Sequence, residues 1–357
     1  MNRIEYLNNL AQSNVQFNLG AGTPPLELYP TFDINNYLEI FKSNNSSDVL
    51  NYHKTSGIIP ELASETLKLN EGINCPSAEI ILTNGTQEAI ALACNVFRNK
   101  TIACLDPYYP GIVDTVRMVG GKLKIIPEDR MFEELEKLES GSLFYICADF
   151  SNPTGKTLTI DQRKEIITIA ERRNLYVFDD ATYRELNLLE KVNTLYSINQ
   201  ERVIHSMSFS KILSPGLRTA FVFLPKLLTS KFLAAKANLS INSSGITQAI
   251  VGGWLLENNF QINNHLPLLK SRLKKNQSVL NDYDCIYSGG FFTTLNLNIK
   301  TSFDWCQEIL QDKNIAVCPM RMFSESKSYE KSIRIAIANL NEIDLRKSIE
   351  LIFKEHQ

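Results

Sequence analysis

Residues 206–221 read SMSFSKILSPGLRTAF, which sets Lys211 among small hydroxylated residues with a second cation, Arg218, seven positions on. A lysine on a solvated helix face has charged neighbours at helical spacing, and this one has neither. The run before it, 203–207 (VIHSM), reads as a strand, and so does 219–224 (TAFVFL). Lys211 therefore follows a strand end, and the Ser-Pro-Gly at 214–216 predicts a sharp turn that brings Arg218 back under it. A lysine becomes a nucleophilic amine when it is desolvated or set beside another cation, and such an amine condenses with an aldehyde. Ser208, Ser210 and Arg218 could hold a phosphate, the arginine through its planar fork. A solvated loop lysine is the plain alternative.

The same strand-then-turn pattern repeats outward from this stretch. Strand-like runs occupy 79–83 (EIILT), 101–105 (TIACL), 122–126 (KLKII), 143–148 (LFYICA) and 175–179 (LYVFD). They are short, rich in Val, Ile, Phe and Tyr, and bounded by Gly, Pro, Asn or Asp. Helical patterns lie among them at 87–97 and 160–174. Strands buried on both faces and alternating with helices imply an α/β fold with a doubly wound, mostly parallel sheet, which binds ligands at the carboxyl ends of its strands. The tail differs. A half-buried strand at 289–299, a helix at 302–314, strands at 315–319 and 332–338 and a closing helix at 341–356 make a small α+β domain. The expected division is a large domain over 46–283, with 1–45 and 284–357 forming the smaller one.

Bulk properties narrow the function. The 357 residues carry 37 basic and 39 acidic side chains, so bulk charge does not draw the chain to nucleic acid or a membrane surface. Seven scattered cysteines without a Cys-x-x-Cys pair read as free thiols in a reducing compartment, and the four histidines show no metal-like spacing. The start, MNRIEYLNNLAQSN, lacks an apolar signal core, and no apolar run reaches membrane-spanning length, so a cytoplasmic protein is expected.

Four further turns follow strands. In 82–90 (LTNGTQEAI), Gly85, Thr86 and Gln87 open a helix, as a phosphate site or as an ordinary cap. In 105–111 (LDPYYPG), Tyr109 could lie over a planar ligand or simply pack in a surface turn. In 149–156 (DFSNPTGK), Asn152 could offer its amide to a ligand oxygen, or mark only a tight loop. In 178–186 (FDDATYREL), Asp180 could meet a ligand cation or cap a helix, with Tyr183 three residues on. No Gly-x-Gly-x-x-Gly and no Walker-type Gly-x-x-x-x-Gly-Lys-Ser/Thr occurs. Taken together the turns ask for one ligand. It has a phosphate for Thr86, Gln87, Ser208, Ser210 and Arg218, a flat ring for Tyr109 and a ring cation for Asp180. It also has a ring hydroxyl for Asn152 and Tyr183, and an aldehyde for Lys211. Pyridoxal 5'-phosphate has all five.

The order and spacing of these blocks resemble the class I/II aminotransferases, the pyridoxal-phosphate enzymes of the aspartate-aminotransferase fold. SFSKILSPGLR resembles the family's lysine and arginine signature, and NGTQEAI, DPYYPG, SNPTG and DDATY match its other blocks in order. The resemblance implies an aminotransferase that moves an amino group between an L-amino acid and a 2-oxo acid through a Schiff base on Lys211. Asp180 and Tyr109 would assist, and Arg334 of SIRIAIA would take the substrate α-carboxylate beside Asn152. NLGAGTPP (18–25) is similar to the N-terminal substrate segment and places Gly22 there. NYHKTSGIIPELASETL (51–67) is similar to the block whose tyrosine, here Tyr52, reaches the neighbouring subunit's cofactor phosphate, which implies a homodimer with shared active sites. Two departures bear on specificity. Ala220 stands where relatives often have glycine, and Pro319-Met320 replaces a Pro-Gly, so that Met320 is expected to crowd the substrate pocket. Arg321 is a candidate for an acidic substrate if it points inward, and a surface charge if it points outward. The same cofactor residues would also serve elimination, cyclisation or oxidation of an amino acid. Some relatives carry the module behind a DNA-binding domain. Neutral charge and the lack of room for an N-terminal helix-turn-helix argue against a nucleic-acid partner here.

Overall fold

In the computed structural model, which describes residues 3–354 other than 21, 30, 31, 46–48, 284, 286, 298–300 and 302, the apolar runs of the sequence join into one seven-stranded sheet. From the N-terminus the elements are α1 (Arg3–Ala11), β1 (Phe17–Asn18), α2 (Ile34–Asn44), α3 (Pro60–Glu71), β2 (Ile80–Thr83) and α4 (Thr86–Val96). Next come β3 (Thr101–Asp106), α5 (Pro110–Met118), β4 (Lys122–Pro127), α6 (Met131–Glu136), β5 (Leu143–Ile146) and α7 (Ile160–Arg173). β6 (Tyr176–Asp180), α8 (Leu195–Ile198), β7 (Val203–Ser208), β8 (Ala220–Phe223) and α9 (Lys226–Ser240) follow. The remainder is α10 (Gly245–Glu257), α11 (Pro267–Asn281), β9 (Phe292–Asn296), α12 (Phe303–Lys313), β10 (Ile315–Ala316), β11 (Cys318–Pro319), β12 (Ser332–Ala336) and α13 (Glu342–Lys354).

The sheet order is β2-β8-β7-β6-β5-β3-β4, parallel from β7 through β4, with β8 antiparallel to both its neighbours. This is the doubly wound, mostly parallel sheet expected. Its two faces follow from the period-2 alternation of strand side chains. Ile102, Leu143, Phe178, Ile204 and Val222 pack in a core with helices α4, α5 and α9. Ala103, Phe144, Val177, Val203 and Phe221 face the opposite core, with residues of α3, α7, α10 and α11. α7 begins on a capping box, Thr159 and Gln162 each satisfying the other's backbone N–H.

A second sheet, β11-β12-β9, is antiparallel, and β1 pairs with β10 in parallel. The strand expected over 315–319 is thus two. Ile315 and Ala316 pair with Phe17 and Asn18, and Cys318 and Pro319 turn to Arg334 and Ile333. The run 143–148 stops pairing at Ile146, where the chain turns toward Phe150 in the left-handed region (φ 53°). The strand expected over 289–299 spans Phe292–Asn296; Asn298, Ile299, Ser302 and His356 of the expected tail elements lie outside the described residues. The N-terminal segment joins this smaller sheet: Leu19 N donates to Ala316 O at 2.9 Å, and Ala336 N donates to Leu19 O at 2.7 Å.

Candidate active site

Strand parity decides which side chains converge. On the face that packs against α4, Tyr145 of β5 stacks on Phe178 of β6 at 5.7 Å. Two residues beyond Phe178 comes Asp180, and Ser206 of β7 lies across from it. Asp179 points to the other face and pairs with buried His205 of β7 (Oδ2 to Nδ1, 2.9 Å). A cavity of about 520 Å³ opens over these carboxyl ends. Lys211, Asp180, Arg218 and Arg334 all line it, with Gly22, Thr86, Gln87, Tyr109, Asn152, Tyr183, Ser208 and Ser210.

Lys211 is anchored by the residues around it. Phe209, wholly buried, packs edge-on against Phe221 and Trp254. Ser210 N donates to Ser208 Oγ, and Leu213 N closes a turn on Phe209 O. The Lys211 ammonium donates to the Gly22 carbonyl. Burial pushes the Lys211 pKa down to about 8, and the charges of Arg334 and then Arg218 add to that, against the opposing pull of Asp180. The turn read from Ser-Pro-Gly is present. Ser214 Oγ accepts from Gly216 N, and Arg218 takes a left-handed conformation (φ 46°). Its guanidinium then reaches Ser210 Oγ at 3.4 Å and Asn84 O at 3.1 Å.

Gly85 ends the turn before α4 with φ 77°, and it has no side chain to cap the helix. The first-turn N–H groups of a helix lack intrahelical acceptors, so this end is an anion site. A Cβ at Gly85 would strike the Arg218 guanidinium, so glycine keeps room between helix and arginine. Thr86 Oγ1 lies 3.1 Å from Ser206 Oγ and 3.3 Å from Thr182 Oγ1. The Gln87 side chain is engaged elsewhere: it accepts from Tyr109 OH at 3.2 Å and donates to Thr115 Oγ1 at 3.0 Å. Gln87 thereby fixes the tyrosine.

Asp180 is buried, and its hydrogen-bond partners are all neutral. Tyr145 OH donates to Oδ2 at 2.7 Å, and Thr182 donates to Oδ1 through its hydroxyl at 2.6 Å and its N–H at 3.2 Å. Burial raises its pKa, against the pull of those donors. Arg334 on β12 is buried between the rings of Phe292 and Phe323, 4.1 and 4.7 Å from its guanidinium carbon. Nη1 donates to Asn152 Oδ1 at 3.2 Å and Nη2 to Gly20 O at 2.5 Å, while Nε, also buried, has no partner among the described residues. Tyr183 sets its ring edge to face against Phe292 at 5.7 Å.

Three expectations fare differently. Tyr52 does not line the cavity of its own chain and is 80% exposed. Met320 does not crowd the cavity; it is fully buried in a cluster with Leu10, Cys318, Met322 and Phe323, because β11 turns it toward α1. Arg321 is exposed and points away. Sequence reading missed Tyr145, Thr182 and the α1 residues Ile4, Leu7 and Asn8, which also line the cavity, and Ser206, which lies behind Thr86. Parity within LFYICA could have offered Tyr145, but α1 carries no motif.

These residues fit pyridoxal phosphate. Among the described residues, Asp180 is a buried carboxylate with no cation hydrogen-bonded to it, the α4 end and Arg218 form an anion cradle, and Arg334 Nε has no acceptor. Comparison with known proteins agrees. The family model described as aminotransferase class I and II matches residues 14–352. A 2-aminoadipate transaminase of Thermus thermophilus is 26% identical over 95% of this chain and 89% of its own. The HTH-type transcriptional regulator NorG of Staphylococcus aureus is 23% identical over 94% of this chain and 79% of its own. The solved structure of LysN, an alpha-aminoadipate aminotransferase of Thermus thermophilus complexed with N-(5'-phosphopyridoxyl)-L-leucine, superposes with a TM-score of 0.84. It is 23% identical, with 99% of this chain and 94% of that one covered.

Proposed function

The chain belongs to the aminotransferase class I and II family, whose cofactor is pyridoxal phosphate, and from that premise we propose that Lys211 carries the amino transfer between an L-amino acid and a 2-oxo acid. The observation that carries this reading is a lysine amine facing two arginines and one buried carboxylate at the carboxyl ends of parallel strands. When bound, the cofactor supplies an aldehyde carbon that condenses with amines and a ring that accepts the electron pair left by a departing Cα proton.

The side chains do the rest. Arg218, the α4 amides, Thr86, Ser208 and Ser210 would hold the phosphate. Asp180, oriented by Tyr145 and Thr182, would face the protonated ring nitrogen and keep its proton in place. Asn152 and Tyr183 would meet the ring hydroxyl, and Tyr109 would cover the ring face. Arg334 would grip the substrate α-carboxylate through its fork, with Gly22 alongside. With its pKa near 8, Lys211 Nζ is partly neutral at physiological pH and is the base placed to take the Cα proton.

We also propose a homodimer in which Tyr52 serves the neighbouring site, and a division into 46–283 against 1–45 with 284–357. Seven free thiols support a cytoplasmic setting. The near balance of charge supports small-molecule partners without nucleic acid. Borohydride reduction of the cofactor-loaded protein, followed by peptide mapping, tests the central claim. A tag on Lys211, with conversion to the pyridoxamine form on adding amino acids, supports it; a tag elsewhere sinks it. Loading without conversion by any amino acid would instead favour a ligand-binding regulator, the reading that the likeness to NorG raises.

A further inference from the structure

We infer that the N-terminal helix α1 is the wall that receives the substrate side chain, and that the site selects 2-amino acids with uncharged, apolar side chains. This rests on the amino-transfer reading above. Among the described residues, four charged side chains line the cavity: Lys211, Asp180, Arg218 and Arg334. Under that reading all four are committed to the aldehyde, ring nitrogen, phosphate and α-carboxylate. No lining cation is left for a second carboxylate. Arg3, the nearest spare cation on α1, is turned away. It is paired with Asp114 of α5 at 2.6 Å, and it donates to Tyr108 OH at 3.0 Å and Met322 O at 3.3 Å. Arg321 is exposed and lines nothing here.

The wall itself is uncharged, apolar at Ile4 and Leu7 with the neutral amide of Asn8 beside them. Ile4, Leu7 and Asn8 stand at i, i+3 and i+4, one face of the helix, and that face lines the cavity. The helix is held in that position from its other sides. Leu10 packs into a cluster with Cys318, Met320 and Phe323, and lies against Gly20, where a Cβ would strike it. Gly20 in turn presents its carbonyl to Arg334. One short segment thus ties α1 to the carboxylate clamp, and the side chain of a clamped amino acid meets Leu7 and Ile4. Burying an unpaired carboxylate there is far costlier than burying a methyl group.

Two measurements on the cofactor-loaded, full-length protein test this. In single turnovers with alanine, leucine, methionine, phenylalanine, glutamate and 2-aminoadipate, kcat/KM for leucine exceeds that for glutamate by about tenfold or more. Independently of turnover, calorimetry with two unreactive acids shows 4-methylpentanoate binding about tenfold tighter than glutarate. Leu7→Ala lowers the leucine-to-alanine ratio of kcat/KM by about tenfold, chiefly through KM, and Leu7→Met restores it. Leu7→Arg moves preference toward glutamate. A wild-type preference for glutamate or 2-aminoadipate, tighter glutarate binding, or an equal loss for leucine and alanine in Leu7→Ala overturns the inference. If no amino acid turns over yet 4-methylpentanoate still binds preferentially, the amino-transfer reading fails while the apolar wall stands.

Discussion

The lowered pKa of Lys211 has three causes. Burial comes first, and then Arg334, brought in by the small sheet, and Arg218, brought back by the left-handed turn, all disfavour its ammonium form. In the cofactor-free protein, modification of Lys211 by an amine-selective reagent should rise with pH through a midpoint of about 8. Replacing Arg334 by Gln removes one repelling cation, so the midpoint should climb; peptide-resolved mass spectrometry across pH reads both. An unchanged midpoint would show that Arg334 does not act on this amine. Asp180 makes the complementary case. Removing the charge from one partner of a buried pair costs about 3–5 kcal/mol, which on the transition state is a loss of about a hundred- to a few thousand-fold. Asp180→Asn should lose turnover on that order while still taking up pyridoxal phosphate, read by absorbance and steady-state kinetics. Near-normal turnover would count against the assignment. That Asp179 and Asp180 face opposite ways was legible once a strand was assigned; which of them lines the cavity came from the structure. Parity could have offered Tyr145 as a candidate, but its place beside Asp180 needed the β5–β6 register, which sequence does not carry.

The loops that hold these side chains are tied together behind the sheet by a charged network. Asp149, at the turn after β5, takes two hydrogen bonds from fully buried Arg163 of α7 (2.6 and 3.2 Å) and one from Arg184 at 3.0 Å. Arg184 follows Tyr183 directly and pairs with Glu71 at the end of α3 (2.6 and 2.8 Å), which Lys191 also reaches at 3.1 Å. The elements bearing Asn152 and Tyr183 are therefore locked to one another and to α3. Burial by itself would raise the Glu71 pKa; Arg184 and Lys191 override it and hold it at about 2, below the ordinary 4.5. A depressed carboxyl adds stability that is complete above its ordinary pKa and is lost as pH falls through the folded one. Urea midpoints should therefore fall as pH drops from about 4.5 toward 2, and Glu71→Gln should flatten that slope while lowering stability at pH 7. A parallel slope in the variant would place the acid sensitivity elsewhere. α7 was legible because its pattern starts on a real cap. The stretch 226–281 was not: α10 is buried along most of its length, so it has no polar face to give a helical period.

Under the proposed homodimer, the site would be completed by a residue from outside the single chain. Tyr52 belongs to a block that resembles the one carrying the family's cross-subunit tyrosine, and it stands 80% exposed and away from its own cavity. The adjoining backbone is fixed. His53 Nε2 lies 2.9 Å from Ser243 O, and Asn242 donates to His53 O at 3.2 Å, which joins this loop to the α9–α10 turn. That turn carries exposed Leu239, Ile241 and Ile246, so Tyr52 sits in a surface with the apolar character of an interface between two copies of the chain. Family membership was legible from nearly every block, but whether Tyr52 serves its own cavity could be read only from the structure, where it does not line it. If Tyr52 donates to a phosphate in the other subunit, Tyr52→Phe loses one charge-assisted hydrogen bond and weakens cofactor affinity by about tenfold to a hundredfold. Mixing that variant with Lys211→Ala is the sharper experiment. Neither parent has a complete site, but a hybrid dimer pairs an intact Lys211 on one chain with an intact Tyr52 on the other. Tight cofactor uptake and turnover should return, at one site per hybrid, when the two are refolded together. Sedimentation should show a dimer throughout. A monomer of full cofactor affinity, or mixtures no better than the sum of their parents, would return Tyr52 to the surface as an ordinary exposed side chain.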